Sequence, residues 1–169
     1  MPHRWDEFFK MAGAAGATLI GLLFVAITVA TSFSKSHGVI GSRGFLTPAL
    51  VHFCGVLLLS LQMLAPWRSA FPAGIVLGIA GLAGVFYQIH LIHIQRKIDF
   101  ASLDPYDRLF YAAVPAISYF GMIAGGIGLI AGESFAPYAI AATTTLLLFT
   151  GIYGAWDVTL WLVKNRQET

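Results

Sequence analysis

The segment MAGAAGATLIGLLFVAITVATSF, Met11 to Phe33, contains no charged side chain. The hydrocarbon core of a bilayer is roughly 30 Å thick, and a helix rising about 1.5 Å per residue crosses it in about 20 residues. This segment is long enough. Four further stretches read the same way. Phe45–Leu64 is polar only at a few positions, with His52 its one ionisable side chain apart from Cys54. Ala70–Ile94 holds His90 and His93, Leu109–Gly132 has no charge, and Ala136–Val163 carries only Asp157. All are continuously apolar without period-two alternation, which favours helices over a barrel. The expected fold is therefore all-α, an integral membrane bundle of five transmembrane helices in a single domain spanning residues 1–169.

Composition agrees. Hydrophobic residues make up 57% of the 169, charged residues 11%, and the mean hydropathy is +0.76. A soluble domain carries about 25% charge and needs it to cover its surface. The expected surroundings are a lipid bilayer. A net charge of +2 with no basic stripe argues against nucleic acid. One cysteine, Cys54, excludes an intrachain disulfide and zinc-finger spacings, and within its apolar segment it reads as a small core residue. The charges at Arg4, Asp6, Glu7 and Lys10, followed by so long an apolar run, argue for a retained first span rather than a cleaved signal peptide.

The connections are short and polar: residues 34–44, 65–69, 95–108 and 133–135. In the longest, Ser102 and Asp104 suit helix N-caps and Pro105 suits a first helical turn. Seven of the ten lysines and arginines fall on one side: Lys35, Arg43, Arg96, Lys97, Arg108, Lys164 and Arg166. By the positive-inside rule that side is cytoplasmic, with the N-terminus outside. Trp5, Trp67 and Trp161 lie near span ends, where interfacial anchors belong. Five spans do not divide into two equal inverted repeats.

Helices in lipid associate through close packing, so small residues mark contact faces. The third span has Gly74, Gly78, Gly81 and Gly84; the fourth has Gly121, Gly125, Gly128 and Gly132; the first has Gly13, Gly16 and Gly21. These faces serve packing within the chain, or contact with a second copy or another membrane protein. Pro115 is expected to kink the fourth span and free a carbonyl near its start.

Ionisable groups inside a membrane are costly and call for partners. Asp157 lies roughly 9 Å inside the last span, His52 roughly 10 Å inside the second and His90 roughly 6 Å inside the third. Gln88 and Tyr87 are slightly deeper than His90, and Thr28 is at a similar level in the first span. Together they form a candidate polar layer in one half of the bundle. It reads in two ways: as an ion or proton site built on Asp157 and a histidine, or as plain interhelical hydrogen bonding. His52 and His90 also allow a third reading, bis-histidine ligation of haem in an electron-transfer subunit. Thr143, Thr144, Thr145, Lys10 and Gln62 read as structural. No nucleotide-binding, GxSxG, HExxH or CxxC pattern occurs, which disfavours an enzyme and leaves no catalytic or metal-ligand set.

Two stretches, Gly16–Thr28 with its GLLFVA core and Gly154–Leu160 with Ala155-Trp156-Asp157, resemble a group of small, uncharacterised multi-pass proteins of the bacterial inner membrane. Some members of that group carry labels suggesting modulators of a membrane-bound protease. The resemblance covers about the first and last fifths of the chain. It implies a bacterial cytoplasmic membrane location and supplies no catalytic residues.

Overall fold

The first helix starts earlier than its uncharged stretch. In the computed structural model, which describes residues 5–33, 38–96 and 109–165, α1 runs Asp6–Phe33. Asp6 and Glu7 lie in its first turn, where carboxylates favour the positive end of the helix dipole. Lys10 donates to Glu7 at 2.8 Å on an exposed surface, a pair that contributes little to stability. The other elements are α2 (Gly38–Leu64), α3 (Ala70–Arg96), a π-helical turn (Leu109–Ala113), α4 (Val114–Ala131) and α5 (Ala136–Asn165). Five helices are long and apolar enough to cross a membrane, over Asp6–Val29, Thr47–Leu64, Ala70–His93, Tyr111–Ala131 and Ala136–Asp157. The all-α, five-helix expectation holds. The capping roles expected for Ser102, Asp104 and Pro105 lie outside the described residues, as does the side chain of Trp161.

Each helix buries one stripe and turns the rest outward. On α3 the buried positions Gly74, Leu77, Gly81, Gly84, Gln88 and Leu91 are spaced alternately three and four, with Ala73 buried beside the first of them. That spacing keeps one face against a neighbour in left-handed packing. The opposite face presents Phe71, Ile75, Ile79, Leu82, Phe86 and Ile89. Exposed apolar side chains on this scale fit lipid rather than water. Cys54 also points outward, which corrects its reading as a core residue.

The helices are not arranged in chain order. α3 packs on α4, α4 on α5, α5 on α2, and α2 on α1, while α2 and α3 touch only lightly. The last helix thus sits between α4 and α2. The core is filled by Phe9, Val56, Leu59, Leu77, Met122, Ile140 and Leu147, each almost fully buried.

Glycines set the closest contacts. A methyl group on Gly74 would stand 2.6 Å from the Gly126 carbonyl oxygen, and one on Gly126 would stand 2.7 Å from the Gly74 carbonyl oxygen. The α3 and α4 backbones therefore touch directly. A side-chain carbon on Gly125 would meet Ile140 at 2.6 Å, and one on Gly13 would meet Ser60 at 2.9 Å. Glycine packing joins α4 to α5 and α1 to α2.

At one end of the bundle an aromatic cluster ties the start of α1 to the start of α5. The Trp5 ring meets Tyr138 edge-on at 4.9 Å and Phe8 edge-on at 6.2 Å. Trp67 Nε1 donates to the Gln62 carbonyl at 2.9 Å, satisfying an acceptor in the last turn of α2. α4 ends at Gly132, whose φ of +74° is left-handed, and the Glu133 N–H closes on the Gly128 carbonyl at 2.8 Å. Nothing crowds Gly132. Gly132→Ala should therefore cost only the conformational penalty, about 1 kcal/mol, read as a lowered thermal midpoint in detergent.

Candidate functional site

Pro115 organises the site through what it lacks. It has no N–H to give the carbonyl four residues earlier, that of Tyr111. The chain responds with the π-helical turn immediately before α4, and Pro115 is buried at the helix start. Gln88, 2% exposed on the packed stripe of α3, donates its Nε2 to the Tyr111 carbonyl at 2.6 Å. A neighbouring helix thus serves the carbonyl that the proline was expected to free.

The same tyrosine reaches the last helix. The Tyr111 hydroxyl donates to Asp157 Oδ2, and its ring packs on Tyr153 with centroids 5.9 Å apart. Asp157 is half-buried. A carboxylate taken out of water needs a donor, and a phenol is a strong one. Tyr111 therefore links α3 and α5 through its two ends.

A second pair lies two turns along α4. His52, 3% exposed on α2, has its Nδ1 3.1 Å from the Tyr119 hydroxyl. The Tyr119 ring occupies the space a side chain on Gly84 would need, so α3 can approach only because residue 84 is glycine. Tyr87 is the neighbour of Gln88 in the chain and lies partly buried on α3. Its hydroxyl oxygen is buried and finds no hydrogen-bond partner among the described residues, as is true of Gln88 Oε1.

Four of the six expected layer residues, Asp157, His52, Gln88 and Tyr87, fall in this polar region. The other two face elsewhere. His90 is exposed on α3, two positions from Gln88 and so on the opposite side of the helix. Thr28 is exposed on α1 and its hydroxyl donates to the Phe24 carbonyl of its own helix at 2.9 Å. Tyr111 and Tyr119 were not anticipated. The signals for them were a buried phenol's need for a partner and the position of Tyr111 four residues before Pro115.

Thr144 and Thr145 donate to carbonyls four residues back in α5, as their structural reading requires. Gln88→Leu removes the donor to the Tyr111 carbonyl and should destabilise the protein by about 1 kcal/mol, measurable by chemical unfolding in micelles.

The fold and this buried layer define a five-span α-helical membrane protein. No protein-family model, curated protein or solved structure matches the chain.

Proposed function

We propose that the polar layer is a working site through which the protein passes or senses an ion or a proton. The observation that carries this reading is the Tyr111–Asp157 hydrogen bond, a carboxyl group at the end of the last candidate span held by a phenol from the neighbouring element. Intramembrane carboxyl groups so placed are characteristic of ion and proton pathways. The oxygens of Gln88 and Tyr87 on α3, which find no hydrogen-bond partner among the described residues, add acceptor capacity that simple helix packing does not use.

The competing readings have less support. The glycine faces that would recruit another membrane protein are largely occupied by contacts within the chain. Haem between His52 and His90 would need α3 to turn, since His90 is exposed and His52 is buried against Tyr119. The proposed setting is a bacterial inner membrane, on the resemblance of the first and last helices, with the N-terminus outside and the polar layer in the cytoplasmic half, on the lysine and arginine count.

The test is flux of protons and monovalent cations into liposomes carrying the purified protein, wild type beside Asp157→Asn. Flux in the wild type that disappears in a folded Asp157→Asn supports the reading. Absence of flux in a folded wild type refutes it.

A further inference from the structure

Four buried side-chain oxygens lack a hydrogen-bond partner among the described residues: Tyr87 Oη, Gln88 Oε1, Ser60 Oγ and Gln62 Oε1. Such atoms are rare in folded chains, and each calls for an explanation. Two lie beside the layer already described. The other two lie on α2 beyond it. Ser60 is eight residues past His52, roughly 12 Å along the helix, and Gln62 is in the last turn at the far end of the bundle. Ser60 is 1% exposed. Ser118, Thr144, Thr145 and Thr150 all donate to the carbonyl four residues back in their own helices. Ser60 Oγ does not.

We infer that the cargo of the layer is the proton, and that its path runs from Asp157 and Tyr111 past Tyr119 and His52 to Ser60. This rests on the reading of the layer as a working site. A metal cation needs several oxygens converging on one point. Here the polar groups are strung out instead. Tyr111 and Tyr119 are eight residues apart on one helix run, roughly 12 Å, and no cluster of three or more His, Cys, Asp or Glu exists among the described residues.

A proton needs only a file of groups that both donate and accept. Carboxyl, phenol, imidazole and serine hydroxyl all qualify. In each hop a hydroxyl oxygen accepts one proton as it releases its own, so it ends neutral. The imidazole accepts on one nitrogen and releases from the other. Asp157 cycles between carboxylate and acid. The Asp157–Tyr111 and Tyr119–His52 steps are direct hydrogen bonds, whereas those from Tyr111 to Tyr119 and from His52 to Ser60 each run roughly 12 Å and exceed one hydrogen bond, and the oxygens without a partner among the described residues are the groups suited to hold bridging water.

The test uses the full chain in liposomes under a pH gradient, with an internal pH dye and, in parallel, tracer uptake of sodium and potassium. Ser60→Ala and Tyr119→Phe are compared with wild type and Asp157→Asn, each checked for an unchanged melting profile. The path predicts acid flux in the wild type, reduced in Ser60→Ala and Tyr119→Phe, with no tracer uptake. Tracer uptake that Asp157→Asn abolishes and Ser60→Ala leaves intact would overturn the proton assignment but keep the site. Acid flux indifferent to both Ser60→Ala and Tyr119→Phe would overturn the path. No flux of either kind from folded wild type removes both the inference and the reading beneath it. Should Tyr119→Phe melt early, Ser60→Ala decides alone, since it deletes one atom with no partner.

Discussion

Gly126→Val should abolish the folded bundle or leave it at least about 3 kcal/mol less stable. The residue stands where α4 meets α3 backbone to backbone. Its added carbon would lie 2.7 Å from the Gly74 carbonyl oxygen and 3.0 Å from the Gly78 nitrogen. Those are main-chain atoms of a packed helix and cannot rotate away. The helices must separate, and the most extensive helix contact in the protein is lost with them. In lipid no water-driven force compensates for the gap, because lipid tails are as apolar as the residues they replace. The matching control is Gly21→Ala. Gly21 has open space beside it, so alanine should be neutral or stabilise by up to about 1 kcal/mol. Thermal unfolding in detergent separates the two. Equal effects would refute direct backbone contact.

If the proposed ion or proton pathway operates, Asp157→Asn should eliminate its flux while leaving the melting curve nearly unchanged. Asparagine has the shape of aspartate, and its carbonyl oxygen can still accept from the Tyr111 hydroxyl. What it cannot do is hold a proton or a negative charge. The packing of α5 on α2 and α4 does not depend on that charge. Residue 157 is half-buried near the end of the last candidate span, so neutralising it should alter stability by no more than about 1 kcal/mol. Loss of flux with a retained melt identifies charge as the functional property. Loss of both would return Asp157 to a purely structural part.

The spans were legible because lipid demands continuous apolarity, and the sequence supplies it five times. The facing of each side chain was harder to read. A helix in lipid is apolar on its outer face as well as its inner one, so hydropathy does not orient it. Depth along the spans alone therefore groups His90 and Thr28 with Gln88. The small residues held the missing information. Gly74, Gly81 and Gly84 mark the packed stripe of α3, and extending their three-four spacing reaches Gln88 and passes His90 by. Pro115 announced a free carbonyl, and the structure provides its donor. The π-helical turn shares that proline as its signal, but the partners of the tyrosine within it do not. Tyr111 is held from two sides, by residues 23 positions before it and 46 after it, separations that no local pattern reveals.

The position of α5 between α4 and α2 has a consequence for biogenesis. Before the ribosome delivers residue 136, the chain can form two hairpins, α1 with α2 and α3 with α4, each joined by its own glycine contacts. The two touch each other only lightly, so nothing strong unites them at that stage. α5 acts as a keystone. Until it arrives, the α2 and α4 surfaces it will cover stay open to lipid, and Tyr111 has no carboxyl to meet. Completion of the polar layer therefore waits for α5, and a chain carrying only α1 to α4 would hold the Gln88–Tyr111 contact without the Asp157 one.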